Sequence, residues 1–287
     1  MTPATRPPPP SAGVIQRDVE RALAEDIGTG DASGALIDGN TIAHAHVLCR
    51  EPAVLAGAPW FEGCLRALDP TLQIDWLQHD GDRIAADTVV CRLHGHARAL
   101  LSGERSALNF LQTLSATATE AARYAAAVAG TRTRILDTRK TLPGLRQAQK
   151  YAVRCGGAHN HRMGLDDAIL IKENHIAAAG GIAAAVARAR QLYPQLLLEV
   201  EVENAAELQQ ALQAGVDRIM LDEFDDTALA AAVREVAGRV PLEVSGSVTL
   251  PRIATLAALG VDFISVGALT KNVRAIDLSM RLEATPG

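Results

Sequence analysis

The sequence has few aromatic residues and no closely spaced cysteines, and each of these absences argues against a class of protein. Phe, Trp and Tyr make up 3% of its 287 residues, too few for the aromatic platform on which single-stranded nucleic acid stacks. The four cysteines contain no CxxC pair, so their spacing indicates neither a zinc site nor a disulfide framework. We therefore expect reduced, packed thiols in a cytoplasmic protein that binds no nucleic acid.

Long apolar runs and targeting signals are also missing. No apolar run approaches the length that crosses a bilayer, and residues 1–13, MTPATRPPPPSAG, lack the charged and apolar parts of a signal peptide. The repeated prolines favour a disordered tail over residues 1–13. A hydrophobic content of 48% with 21% charged residues is typical of a globular enzyme, and we expect no membrane partner.

What the sequence does contain is a concentration of cations within an acidic chain. The net charge is -5, yet three of the four lysines and six arginines lie between Arg132 and Lys172. Only Asp137, Asp166 and Asp167 oppose these nine cations. A local excess of six positive charges predicts a small, strongly anionic ligand.

Some of these cations have a simpler interpretation. Arg146, Lys150 and Arg154 recur every four residues, which places them on one stripe of a helix. Such a stripe needs no ligand, and we expect it to face solvent.

The first part of the chain has the pattern of an α+β domain. A short helix is predicted over Val14–Leu23, and a long Ala-rich helix begins near Ser102 and bridges the two parts of the chain. The segments between these helices have the pattern of strands joined by tight turns, and we expect turns at Gly81 and Gly95.

After Gly130 strands and helices alternate. The strand candidates are TRILDT, DAILIK, LLLEVEV, RIMLDE, PLEVSG and DFISVG. The last four end at 201, 222, 245 and 267, a spacing of 21 to 23 residues that corresponds to one βα unit each time. Six units predict an open, incomplete α/β barrel, because a closed barrel of eight units needs more chain.

The carboxyl ends of these strands carry the candidate site. They bear Arg139 with Lys140, then Lys172, Glu201 and Asp222. In a parallel barrel all strand ends lie on one face, so these side chains converge although they are distant in sequence. Because a charge at the end of a buried strand is costly without a partner, a bound ligand is favoured over a solvated surface.

Two Gly-containing segments, SGS and VGA, follow the last two strands and precede helices. Their residues are Ser245, Gly246, Ser247, Val266, Gly267 and Ala268. Together they predict a cradle of backbone N–H groups for phosphate.

Acidic residues alternate with aliphatic ones along the third of these strands. Glu199, Glu201 and Glu203 share one face of LEVEVE. In a parallel barrel the aliphatic face meets the helices, so we expect the acids to point inward, near the cations. A basic half, an acidic pair and a phosphate corner suit a phosphorylated sugar with metal-bound pyrophosphate beside a carboxylated acceptor.

A set of longer motifs carries a resemblance to a known family. The motifs are GERSALNFLQTLS, ILDTRKTLPGLRQAQKYAVRCGGAHNHRMGLDDAILIKENHI, LEVEVEN, IMLDEF, EVSGSV and FISVGALT. In this order they resemble quinolinate phosphoribosyltransferases, the carboxylating nicotinate-nucleotide pyrophosphorylases, from about Ala24 to Leu282. The DTRKT and NHRMG segments are the most specific. Ala158 replaces a usual glycine, and EDIGTGDASGALI follows the family only loosely, but neither departure touches a charged site residue.

The resemblance implies both a fold and a reaction. The fold is α/β, with an N-terminal α/β sandwich domain at 14–115, joined by the tail 274–287, and an open α/β barrel at 116–273. The reaction transfers phosphoribosyl from phosphoribosyl pyrophosphate to quinolinate with decarboxylation, which gives nicotinate mononucleotide, pyrophosphate and carbon dioxide.

The resemblance also implies roles for individual residues. Lys140, Lys172, Glu201 and Asp222 would serve catalysis, and the two acids would contact Mg²⁺ indirectly, with pyrophosphate. Arg105 by itself has the pattern of a surface residue in a helix's first turn, but the resemblance makes it a substrate ligand from the neighbouring subunit of a homodimer. The substrate-binding set is Arg105, Thr138, Arg139, Lys140, His161, Arg162, Lys172, Glu201, Asp222 and the SGS and VGA residues.

Three other functions stay open on the sequence alone. A related phosphoribosyltransferase could take nicotinate or another pyridine carboxylate, although three arginines favour a dicarboxylate. Lys172 could be the Schiff-base lysine of a barrel lyase. A non-catalytic anion-binding protein fits least, because Glu201 and Asp222 would repel its ligand.

Overall fold

The computed structural model describes residues 6–246 and 248–283. Ser247 of the predicted phosphate cradle lies outside the described residues, as do residues 1–5 of the predicted tail and residues 284–287.

The described chain contains ten α-helices and twelve strands. The helices are α1 (Ala12–Ile27), α2 (Ala58–Leu68), α3 (Ala97–Ala127), α4 (Arg146–Cys155), α5 (Glu173–Ala179), α6 (Ile182–Leu192), α7 (Ala205–Ala214), α8 (Asp226–Val236), α9 (Leu250–Ala258) and α10 (Ala268–Lys271). The strands are β1 (Ile42–Cys49), β2 (Ala53–Val54), β3 (Gln73–Trp76), β4 (Arg83–Ile84), β5 (Thr88–His96), β6 (Arg134–Leu136), β7 (Ile169–Ile171), β8 (Leu198–Val202), β9 (Arg218–Asp222), β10 (Leu242–Ser245), β11 (Phe263–Ser265) and β12 (Leu278–Leu282). In this part of the chain no helix is long and apolar enough to cross a membrane.

The chain divides into two compact units. The first contains the residues up to Ala122, Thr141–Gly157 and the residues from Leu269 onward, and the second contains Arg123–Lys140 and Ala158–Ala268. Helix α3 begins in the first unit and its last residues belong to the second.

The first unit is built on an antiparallel sheet of order β12-β1-β5-β3. Its core joins strand residues such as Val47 to Trp60 and Phe61 of α2 and to Leu108 and Leu111 of α3, all of them almost fully buried. Large side chains on both helices thus cover the sheet, as the predicted α/β sandwich requires.

Helices in the first unit are longer than predicted. The first extends to Ile27, four residues past the predicted end, where Gly28 takes a positive φ of 55°. Helix α3 begins at Ala97, so ARALL belongs to the helix, although it was predicted as the end of a strand. Ala, Arg and Leu are strong helix formers, and no Gly or Pro separates ARALL from the predicted helix.

Gly95 is not the turn that was predicted, whereas Gly81 is one, with φ 92°. Gly95 lies inside β5, paired with Ala43. A Cβ there would come within 2.4 Å of Leu72 Cδ1, so Gly is required for close packing and not for a bend.

We expected Arg146, Lys150 and Arg154 of α4 to face solvent, and this prediction is wrong for Lys150. Lys150 is 0% exposed. Helix α4 places Ala148, Tyr151 and Ala152 in the core of the first unit, and tertiary packing on a short helix overrides the four-residue spacing of its charges. Buried Gln149 accepts a hydrogen bond from Leu142 N at 2.8 Å.

The second unit contains all six predicted strands of the α/β series. They form a parallel sheet of order β6-β11-β10-β9-β8-β7, and helices separate successive strands from β7 onward. Within the described residues β6 and β7 are edge strands and do not pair with each other, which confirms an open barrel. Asn204 caps α7, since it accepts a hydrogen bond from Glu207 N at 3.0 Å.

Candidate active site

A cavity of about 170 Å³ lies at the carboxyl ends of the second unit's strands. It is lined by Thr138, Arg139, Lys140, His161, Arg162, Leu170, Lys172, Glu201, Met220, Glu243, Ser245 and Ser265. The structure therefore brings eight of the predicted site residues together around one cavity, and four of them are cations.

The acids of β8 point inward, as the alternation predicted for Glu199 and Glu201. Val200 is fully buried, and Glu199 and Glu201 are 1% and 6% exposed, whereas Glu203 beyond the strand end is exposed. Glu201 accepts a short hydrogen bond from Lys172 Nζ, across the β7–β8 pair. This ion pair places one positive and one negative group at the same edge of the cavity.

Arg139 and Arg162 bring two guanidinium groups into the same cavity. Burial, together with the charge of Arg139, lowers the pKa of the Arg162 guanidinium. Two positive groups in one partly buried site favour an anionic ligand.

The NHR segment that carries Arg162 is held in place by Asp137, which follows β6. Asp137 is fully buried; it accepts hydrogen bonds from His161 N at 2.9 Å and from Asn160 Nδ2 at 2.6 Å. The main chain of His159 also forms a parallel bridge with Leu136. Two segments distant in sequence are thus fixed side by side at the cavity.

His161 lies next to two buried acids, Glu199 and the cavity-lining Glu243. Its Nε2 lies 3.0 Å from Glu199 Oε2 and 3.4 Å from Glu243 Oε1. Arg218 Nη1 lies 3.1 Å from Glu243 Oε2. Burial raises the pKa of both carboxyl groups, and the Glu199 charge raises that of Glu243 further.

The two predicted phosphate segments differ in what they offer. Val266 already donates its N–H to Leu136 O at 2.9 Å, so this amide is not available to a ligand. Gly267 lies against the Lys140 side chain, since a Cβ there would come within 3.1 Å of Lys140 Cδ. Gly246 has φ 112°, and Ala268 begins α10. Ser247 lies outside the described residues.

Among the described residues, six predicted ones do not line the cavity: Gly246, Val266, Gly267 and Ala268 of the phosphate segments, and Asp222 and Arg105. Asp222 ends β9 and is half-buried, next to Ser245 in the strand register. Arg105 is exposed on α3 in the first unit.

Asp137, Glu243 and Ser265 were not among the predicted site residues. Glu243 had a detectable signal, because an acid alternates with aliphatic residues in PLEV as it does in LEVEV. Asp137 had none beyond its place in DTRK, since its role depends on a segment more than twenty residues away.

A larger cavity, of about 510 Å³, lies in the first unit between α1, α3 and the segment 143–145. It sets Arg21 against Asp18, Glu25 and Asp26. A site with three acids and one cation does not suit an anionic substrate, so the smaller cavity is the candidate active site.

Family models match nearly the whole chain. Residues 31–115 match the N-terminal domain of quinolinate phosphoribosyl transferase, and residues 117–281 match its C-terminal domain.

Individual relatives agree with these models. The chain is 42% identical over 273 residues to a probable nicotinate-nucleotide pyrophosphorylase (carboxylating) of a Synechocystis species, covering 94% of this chain and 92% of the relative. It is 39% identical over 274 residues to the carboxylating nicotinate-nucleotide pyrophosphorylase of Mycobacterium leprae, covering 92% and 95%. The solved nicotinate-nucleotide pyrophosphorylase of Francisella tularensis superposes with a TM-score of 0.91 at 43% identity, over 99% of this chain and 100% of that one.

Proposed function

The chain belongs to the quinolinate phosphoribosyltransferase family, and we propose that it transfers phosphoribosyl from phosphoribosyl pyrophosphate to quinolinate. The ring nitrogen displaces pyrophosphate, and the carboxylate next to it leaves as carbon dioxide, which gives nicotinate mononucleotide for NAD biosynthesis. The observation that carries this proposal is the convergence of Arg139, Lys140, Arg162 and Lys172 on one small cavity.

The two arginines suit the dicarboxylate acceptor. A guanidinium presents a planar fork that can hold both oxygens of one carboxylate, which an ammonium cannot do. Arg139 and Arg162 repel each other across the cavity, and a substrate with two carboxylates removes that repulsion.

The phosphoribosyl half fits the other side of the cavity. Lys140 extends over Gly267 and can neutralise pyrophosphate oxygens there. Glu201 and Asp222 are proposed to bind ribose hydroxyls, and their positions on the neighbouring strands β8 and β9 support this. As pyrophosphate leaves, the anomeric carbon becomes cationic, and nearby carboxylates stabilise that charge.

Decarboxylation follows from the chemistry of the alkylated ring. The ring nitrogen is positively charged after transfer, so it stabilises the electron pair that stays on the adjacent carbon when carbon dioxide leaves. The step needs no general base, and a proton then takes the place of carbon dioxide on that carbon.

We propose Mg²⁺ as the metal that accompanies pyrophosphate. Mg²⁺ binds oxygen donors and keeps substrate phosphates among its ligands. Carboxylates are the donors that Glu201 and Asp222 supply, and Lys172 pairs with only one oxygen of Glu201, so the residues fit the ion. When bound, the ion would neutralise charge on the leaving pyrophosphate.

We also propose a homodimer in which Arg105 of the partner subunit completes the site. Arg105 is exposed on α3. The edge strand β7 leaves the barrel open, and a cavity beside it is lined by the exposed apolar residues Leu165, Leu192 and Tyr193. Cations of the candidate site, among them Arg139 and Lys172, also line this cavity. An apolar flank at an open sheet edge supports a subunit contact there.

A cytoplasmic location is proposed from the state of the thiols. All four cysteines are free and buried. Reduced, packed thiols are what a reducing compartment maintains.

The Schiff-base alternative is less well supported by the geometry of Lys172. Its side chain is 41% exposed and its ammonium is paired with Glu201. A lysine nucleophile needs a neutral amine in a desolvated pocket. Borohydride trapping with carbonyl substrates would reveal such chemistry if it occurred.

The proposed function is tested by carbon dioxide release from carboxyl-labelled quinolinate. We expect release only when phosphoribosyl pyrophosphate is present, with pyrophosphate formed in equal amount. Nicotinate offered in place of quinolinate serves as the matched acceptor control, because it has only one carboxylate. Faster turnover of nicotinate than of quinolinate would make the monocarboxylate enzyme the correct assignment.

A further inference from the structure

A buried polar cluster contributes His161 and Glu243 to the wall of the candidate site, and the proposed reaction gives its two acids no role. It consists of Glu199 and Glu243, which are 1% and 0% exposed, and the His161 side chain, which is 8% exposed. One oxygen of each carboxyl group, Glu199 Oε1 and Glu243 Oε1, is buried without a hydrogen-bond partner. Such a costly arrangement calls for a functional explanation.

The two ring nitrogens of His161 both have neighbours on the protein. Nδ1 accepts a hydrogen bond from Arg162 N at 2.8 Å, so in the neutral ring the proton belongs on Nε2. Nε2 lies 3.0 Å from Glu199 Oε2 and donates to it. The orientation of the ring is therefore fixed from both sides, and Glu199 supplies one of the two fixed points.

The same contacts connect Glu199 to the carboxylate-binding arginine. The His161 ring holds the N–H of Arg162, whose guanidinium lines the cavity beside Arg139. The Arg162 guanidinium also donates to the main chain, with Nη1 3.4 Å from Ala168 O. A shift of the His161 ring would thus change the direction in which the Arg162 side chain leaves the main chain.

A metal ion is the competing explanation for this group. Donor atoms of His161, Glu199 and Glu243 lie within 4.8 Å of one another, close enough to share an ion. The Arg218 guanidinium already contacts Glu243 at 3.1 Å and lies over the Phe263 ring at 4.2 Å. A cation fixed in this position opposes a second one, which favours a hydrogen-bonded support over a metal centre.

We propose that Glu199 is a positioning residue for quinolinate binding, which acts through the His161 Nε2 hydrogen bond to orient the Arg162 guanidinium. This inference rests on the proposed function for the identity of the substrate. It assigns Glu199 no contact with the reacting atoms.

Two substitutions separate hydrogen bonding from charge. Glu199→Gln keeps the length and an acceptor oxygen for His161, and its amide can donate to the unpartnered Glu243 Oε1. Glu199→Asp keeps the negative charge but is one methylene too short to reach Nε2. We expect the KM for quinolinate to rise at least tenfold in the Asp variant and no more than about threefold in the Gln variant.

The other substrate supplies the internal control. In both variants the KM for phosphoribosyl pyrophosphate should stay within twofold of the wild type, because the proposed effect acts on the Arg162 guanidinium, which is assigned to a carboxylate of quinolinate. Glu235→Gln and Glu235→Asp on the exposed face of α8 are the matched surface controls. In a His161→Phe background the Glu199→Asp change should add no further loss, since the bond through which it acts is already gone.

Three results would overturn the inference. A larger loss in the Gln variant than in the Asp variant would show that charge, and not the hydrogen bond, is what Glu199 contributes. Equal increases in both KM values would show a general structural defect. One equivalent of tightly bound metal in the purified wild type, lost in the Gln variant, would make the group a metal centre. A wild type that releases no carbon dioxide from quinolinate would instead refute the proposed function.

Discussion

Replacing Arg162 by lysine tests how the candidate site holds its acceptor. Lysine keeps the positive charge but loses the planar fork, so at most one strong hydrogen bond to the substrate carboxylate remains. A hydrogen bond to a charged group contributes roughly 1–3 kcal/mol in a desolvated site. The Arg162 guanidinium is partly buried, and burial together with the Arg139 charge lowers its pKa. We therefore expect a loss at the upper part of that range.

The expected effect is a specific increase in the quinolinate KM. A loss of about 1–3 kcal/mol corresponds to roughly a 5- to 150-fold change. Steady-state kinetics with each substrate varied in turn measures it, and Arg190→Lys is the matched control, because Arg190 pairs with Asp217 away from the cavity. If quinolinate KM stays within twofold, or if the KM for phosphoribosyl pyrophosphate rises in parallel, Arg162 is not a carboxylate clamp.

Three further predictions concern the metal, the subunit contact and pH. Excess chelator should abolish turnover and added Mg²⁺ should restore it, because pyrophosphate otherwise repels the carboxylates of Glu201 and Asp222; full activity in chelator would contradict this. When subunit exchange is demonstrated, a mixture of the inactive Arg105→Ala and Lys172→Ala proteins should regain activity. Each mixed dimer should reach at most about half the activity of a wild-type dimer. If no activity returns, Arg105 is a surface residue outside the site. Burial raises the pKa of Glu243 from 4.5 to about 8. Between these pH values the Glu243 carboxyl is ionised in the unfolded chain but protonated in the folded protein. The free energy of unfolding should therefore fall as the pH rises from 4.5 to about 8, by at most ~1.4 kcal/mol per pH unit. Urea unfolding of Glu243→Gln should show a flatter profile between these pH values, and an unchanged slope would mean that Glu243 is ionised throughout.

The barrel and its cations could be predicted from the sequence because they depend on local periodicity. Each strand of the second unit is a short apolar run with a polar end, and the topology of a parallel sheet gathers those ends. Lys172 and Glu201 meet for this reason alone, since β7 and β8 are neighbours in the register.

Other features could not be predicted because they depend on contacts between distant segments. Lys150 has the spacing of a surface charge, yet the packing of α4 buries it. Gly95 resembles a turn residue until Leu72 is placed against it. Asp137 acquires its role only when the segment around His161 lies beside β6. In each case the residue contacts a segment that is distant in the sequence, so the local sequence pattern does not predict the contact.

The order of strands in the two larger sheets has a consequence for how the protein is made. Strand β12 pairs with β1, with Leu282 opposite Ala45, and β11 pairs with β6, with Phe263 opposite Arg134. Pairings between segments so far apart in the chain slow folding, and during synthesis they leave β1 and β6 without these neighbours until the last strands have left the ribosome. A nascent chain that stops before Phe263 already carries every charged residue of the cavity, but it lacks the strand that joins β6 to the rest of the sheet.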